Sequence, residues 1–492
     1  MRAQHLCIAA MAALLAATSA QASVEISANP TKNMNCSGGV CSPTAKKAVL
    51  NTTDLAGMLA SGDISVESDW LSRDIEIDAA LSWASAHRLT LDAFRAITVN
   101  KPIEVTGTGA LSIAVNDGGR DGDLLFLGRG HVMFWDAASD LNINGDSYVL
   151  VENIQQIADQ FKSGAPFVAL AKSFDVRRNN YKHAPVKEIS GTFEGLGNRT
   201  ANLKVDESGS SENAALFSRI SSSGVVRDLN IDAAEMSGTG GDDQLVGAVA
   251  GNNDGAITNV HVTGMILLSA DHSVAGGLVG ESDGTILRCS ANATVTSLGD
   301  SNEIGGLLGI NYEEGESHSG SVLDSYSTGT VSAQKQDATN MNVGGLIGEA
   351  VGGNISNSYS RSETSESSTR SNAFLETGGL IGEAQDGVEF ARALSNSYST
   401  GLVNGAAGGW SGGFVGVDTG TTEIGNAYWD LDSSGISDPS KGAGTPANDP
   451  GVTGLTTAQL KSSLPSGFRM NLWRENPKIN DGYPYLIANP PQ

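Results

Sequence analysis

Few residues of this chain combine a reactive type with suitable neighbours. The stretch Tyr312 to Ser319 gathers Glu313, Glu314, Glu316 and His318, enough oxygen donors for Ca²⁺ or a basic partner, although a solvated loop has the same composition. Glycoside hydrolysis needs two facing carboxylates, and elimination needs clustered Asp with a basic group. Asp242, Asp243 and His131 come nearest, but about 110 residues separate the acids from the histidine, so they read as corner acids and a solvated imidazole. No HExxH, GxSxG, P-loop, EF-hand or nonapeptide calcium pattern occurs. The expectation is a non-enzyme with no cofactor, no metal and no catalytic residue.

Two further sets could bind or bond. Cys36 and Cys41 flank a Gly pair in CSGGVC, and a local disulfide is expected, with free thiols or a metal pair as alternatives. Tyr326, Tyr359, Tyr398 and Tyr428 recur at one place in successive repeats. On stacked strands such rings stand about 4.8 Å apart, as an outward strip for a sugar or protein or as a stabilising ladder. The strip is expected to be exposed.

The repeat that would position them is explicit. Two small residues, two apolar residues and Gly recur in VGAVAG, GGLVG, GGLLG, GGLIG, GGLIG and GGFVG, with the Gly before the apolar pair at 247, 277, 306, 345, 379 and 413. Steps of 30, 29, 39, 34 and 34 residues mean a stacked array. Downstream, Ser, Thr, Tyr and Val alternate with period two, so the units are strands. Val260, Cys289, Ser325, Ser358, Ser397 and Ala427 form one inward column, and Val262, Ala291, Ser327, Ser360, Ser399 and Trp429 a second. The apolar Ile257, Ile286, Val322, Ile355, Leu394 and Ile424 share the tyrosines' parity, so a bend must intervene. Asn259, Arg288, Asp324, Asn357, Asn396 and Asn426 are the expected corner, since Asn tolerates the left-handed region. The fold class expected is all-β, a right-handed parallel β-helix solenoid with short capping helices. The 39-residue step resolves into two loops, at 309–320 and 331–345, that leave the strands untouched.

GGLVG followed by NSYSTG resembles the GLUG repeat of large secreted bacterial surface proteins. Leu81 to Gly119 and Val132 to Val151 resemble windings of filamentous-haemagglutinin-type exoproteins, and Phe193 to Val205 is similar to the segment that precedes GLUG repeats there. The resemblance runs from about Asp54 onward. It implies an extracellular or surface-associated β-helix with an adhesive role. NPNG-like and NPNL-like export turns are missing, Asn29-Pro30 being followed by Thr31, so export through a dedicated partner is not expected.

Arg2, the apolar run from Leu6 to Ala17 and Ala20-Gln21-Ala22 form a secretory signal at 1–22. Thirty Lys plus Arg against 55 Asp plus Glu give a formal charge of −25, which repels nucleic acid and anionic lipid. The expected partners are a glycan or a surface protein, with neither nucleic acid nor membrane insertion, and oligomeric state is unassigned. The chain divides into a flexible segment at 23–51, an N-terminal cap and haemagglutinin-like windings at 52–151, a helical connection at 152–186, GLUG-type repeats at 187–430 and a C-terminal cap at 431–492. The function expected is that of a secreted adhesin or matrix-interaction protein, periplasmic if no export partner exists. The alternatives are a polysaccharide lyase or hydrolase on the same scaffold, or the remnant of a longer exoprotein.

Overall fold

The computed structural model describes residues 22–209, 213–314, 318–370, 373–387, 393–420 and 424–491, and for residues 313, 314, 318 and 319 it describes the backbone alone. The expected signal lies almost wholly outside the described residues. The regular structure is nearly all β, in long parallel sheets, and a strand generally pairs with its counterpart one repeat later. A nine-stranded sheet runs from Val186–Ile189 to Ala443–Thr445 and a six-stranded sheet from Leu245–Val246 to Trp410–Gly412. A third, longer ladder carries the columns read from the sequence. Among the described residues no helix is long and apolar enough to cross a membrane.

The corner is where the Asn column lies. Asp228, Asn259, Arg288, Asp324, Asn357, Asn396 and Asn426 all have φ between 50° and 56°. This left-handed turn puts the apolar residue two before it and the first and third residues after it into one core. Ile257, Ile286, Val322, Ile355, Leu394 and Ile424 are buried, as are both inward columns through Trp429. The buried serines are bonded to their neighbours. The Cys289 amide donates to Ser325 Oγ at 3.0 Å, the Ser325 amide to Ser358 Oγ at 3.2 Å, and the Ser358 amide to Ser397 Oγ at 3.2 Å. A small polar column therefore sits inside without orphaned hydroxyls. Burial pushes the free Cys289 thiol up to about 12, so it packs as a small apolar group.

The long step behaves as a pair of insertions. Leu308 still pairs with Ile347, Glu303 with Asn342 and Ile286 with Val322. The extra residues leave the ladder at Tyr312 and after Ala333 and return in phase.

Two expectations need correction. The segment expected to be flexible is a strand system: Ser23–Ser27 pairs in parallel with both Ala48–Asn51 and Asp74–Ile77, and Val24 and Ile26 are fully buried. The alternation in SVEIS was the missed signal. The first helix, α1 (Thr52–Leu59), is capped by Asn51, whose side chain accepts from the Thr53 and Asp54 amides. The second correction concerns the C-terminus. Ala443–Thr445 and Val452–Leu455 extend two of the sheets by one more strand, while the chain after 456 folds back along the side of the ladder instead of closing its end. The second helix, α2 (Ile154–Lys162), turns Ile154, Ile157 and Phe161 into the core.

Two apolar cores meet near residue 150, one of residues 24–143 with a few later ones, the other from Val151 onward. A buried ionic cluster ties them together. Arg227 lies 2.8 Å from Asp228, 3.0 Å from Glu194 and 3.3 Å from Asp123, and Asp123 also bonds Arg288. Burial, with Asp228 next to it, pushes the Glu194 carboxyl well above its usual range.

Candidate functional site

The tyrosines stack as expected but do not face solvent. Ring centroids are 4.8 Å apart from Tyr326 to Tyr359 and 4.9 Å from Tyr359 to Tyr398, near-parallel in both cases. All four rings are buried against Leu460, Phe468, Trp473, Tyr483 and Leu486. Three of the hydroxyls are occupied: Tyr398 donates to the Pro484 carbonyl at 2.6 Å, Tyr428 to that of Ser466 at 3.0 Å and Tyr326 to that of Pro490 at 3.3 Å, while the Tyr359 hydroxyl is buried without a partner. Asn489 donates to the carbonyls of Cys289 and Asp324, and Arg361 reaches Asn480 and Asp481. The exposed strip is thus corrected to a docking face for the chain's own C-terminus. The apolar residues in that segment, Phe468 and Trp473 above all, needed a partner, and the rings supply it.

The other predicted residues separate. Cys36 and Cys41 form the disulfide, across an antiparallel hairpin. Glu313 and Glu314 pair in backbone register with Ser319 and His318, and Glu316 lies outside the described residues. Asp242 and Asp243 are exposed in a turn, and His131 directs Nδ1 to the Arg129 carbonyl. Among the described residues no three His, Cys, Asp or Glu side chains gather as metal ligands.

What the structure does assemble is a set of acids beside the GG motif. Each GG-apolar-apolar-G passage turns from the six-stranded sheet to the nine-stranded one, and the two sheets meet through glycine backbone. A Cβ on Gly378 would stand 1.8 Å from the Ile381 oxygen and 2.7 Å from the Gly416 nitrogen, and one on Gly382 would stand 2.7 Å from the Val343 nitrogen. The Gly pair is therefore required by close approach. Ile347 pairs with Ile381 and Glu349 with Glu383, which skips the glycine between them. Ile381 and Ala384 stay in the core, and Glu383 is turned away from it.

Two polar columns line this re-entrant angle. On the six-stranded sheet Glu303, Asn342, Glu376 and Trp410 are in register. On the nine-stranded sheet Glu281, Ile310, Glu349, Glu383 and Val417 are. Asn342 joins the columns, its Nδ2 donating to Glu383 at 3.2 Å and to Glu349 at 3.3 Å. Gln385 Nε2 donates to the other Glu349 oxygen at 2.5 Å. Burial, reinforced by neighbouring acids, pushes Glu303 and Glu376 up to about 8 and raises Glu349; burial also raises Glu383. Glu376 hydrogen-bonds Glu383, which favours the proton on Glu376. The arrangement can hold protons at neutral pH and both donate and accept hydrogen bonds. The signal was in the sequence as E-x-G-G-x-x-G-E, complete in Glu376 to Glu383. The glycines recur in every unit, whereas acids flank them on both sides only here, so the repeat period does not single the acids out.

Comparison with known proteins agrees in part. Residues 339–364 match the family described as the GLUG motif, which includes Asn342 and Glu349. A 126-residue stretch, 25% of this chain, is 32% identical to Halomucin of Haloquadratum walsbyi, and the chain spans about 1% of that relative's length. A crystal structure of a candidate immunoglobulin A1 protease from Bacteroides ovatus aligns over 70% of this chain and 93% of its own, at 18% identity and a TM-score of 0.39. This chain carries a GLUG motif within a nearly all-β, parallel repeat fold.

Proposed function

We propose that this is a secreted, surface-associated repeat protein that acts by attachment. In this reading the parallel sheets are the walls of a right-handed β-helix, with haemagglutinin-like windings at 52–151, a helical connection at 152–186 and GLUG-type repeats at 187–430. The observation that carries it is the register of the repeats, which sets equivalent outward side chains in rows along one axis and so multiplies a weak contact. Secretion to the cell surface or the extracellular space, or retention in the periplasm without an export partner, belongs to the same proposal. Cells lacking the chain, or carrying it without Gly276 to Trp429, should lose attachment to cell layers and abiotic surfaces, and added purified chain should compete. Unchanged attachment in both strains would sink the reading.

A further inference from the structure

The angle between the two sheets has an aromatic border. Phe374 stands two residues before Glu376 on the same strand, and Leu375 between them is in the core. Trp410 is the register partner of Glu376 on the next strand. Phe374 is 62% exposed and Trp410 37%, and their ring centroids lie 6.3 Å apart at a tilt of 34°. Large aromatic faces open to water beside an array of hydrogen-bonding groups are uncommon on a chain with 5% aromatics.

The polar side of the angle is incomplete. Asn342 and Glu376 are 3% and 6% exposed, and Asn342 Oδ1 has no hydrogen-bond partner. A buried oxygen without a partner costs roughly 1–3 kcal/mol, a cost that an incoming hydrogen-bond donor would remove. Glu349 and Glu383, half-buried in the same angle, add further acceptors.

We propose that this angle, floored by Asn342, Glu376 and Glu383 and bordered by Phe374 and Trp410, binds a neutral saccharide. A pyranose offers an apolar C–H face to an aromatic ring and hydroxyls at its rim to carboxyl and amide groups, which matches the two halves of the site. A polyanionic glycan would meet the carboxyls of Glu349 and Glu383. The proposal rests on the attachment reading and supplies its ligand class.

The test is isothermal titration calorimetry of the full chain with cellohexaose, laminarihexaose and mannohexaose, and with a chitosan hexamer as the cationic comparison. At least one neutral hexasaccharide should bind. Trp410→Ala should weaken that binding by about tenfold or more, Phe374→Ala should weaken it less, and Trp135→Ala, which removes an exposed ring elsewhere, should leave it unchanged. Circular dichroism shows that each variant is folded. Binding of the chitosan hexamer alone, no binding to any neutral sugar, or parental affinity in Trp410→Ala would overturn the proposal. If attachment vanishes on deletion of Gly276 to Trp429 but survives Trp410→Ala, the attachment reading stands and this site does not.

Discussion

Glu376 is an acid that water would ionise and this fold does not. Its carboxyl sits among Glu383, Glu349 and Glu366 with little exposure, and burial more than any one neighbour keeps its proton on. The consequence for stability has a definite sign. Glu303 and Glu376 titrate near 8 in the folded chain, against 4.5 when unfolded, and Glu366, beneath Thr377 in the core, is pushed up by burial to about 7. The folded state binds more protons between those values, so this contribution is complete below pH 4.5 and is lost as pH rises towards 8. The thermal midpoint should fall across that range. In Glu376→Gln the fall should be shallower, with a gain on the order of 1 kcal/mol at pH 8.5; calorimetry at pH 5, 7 and 8.5 decides, and an unchanged pH slope refutes the assignment. At this scale the sequence was legible where side chains follow the strand alternation. It was not where two sheets fold onto each other, because the proximity of Asn342 to Glu383 depends on glycine backbones meeting across an angle.

Among the elements, the segment from 456 to 491 has the clearest role. Its short helix α3 (Thr457–Leu460) opens with the capping box visible in Thr456-Thr457-Ala458-Gln459, and Leu460, Phe468 and Trp473 then pack on the tyrosines. A chain ending at Leu455 should keep its parallel sheets, bind a hydrophobic dye at the uncovered rings and melt several degrees lower. A truncated chain that neither binds dye nor shifts would show that the segment is only loosely seated. The sequence correctly set the tyrosines outside the ladder, because parity determines which way a ring leaves a strand. What covers that face is a long-range contact between residues some 80 to 160 apart, as in Tyr398 with Pro484 and Tyr326 with Pro490. No local periodicity carries it.

Over the whole molecule, stability is shared between two apolar cores coupled by few charged groups. Asp123 belongs to the first core's side and holds Arg227 and Arg288 of the second. Asp123→Ala leaves two largely buried guanidiniums with less compensation, a loss of about 2 kcal/mol. It should separate a single melting transition into two resolvable steps, and a single unshifted transition would show that the cores are coupled by other contacts. The repeat period and corner residues were legible because every unit meets the same constraint, whereas this coupling occurs once and leaves no pattern. The segment that returns over the tyrosines has a consequence of another kind. Tandem arrays drift in copy number, since each unit mainly meets its neighbours. Here one stretch of chain touches Tyr428, Tyr398, Arg361, Tyr326 and Cys289 in turn, so it acts as a ruler laid against a set number of units. A unit duplicated or lost between Cys289 and Tyr428 would displace those marks by about 4.8 Å, so the returning segment fixes how many units lie between them.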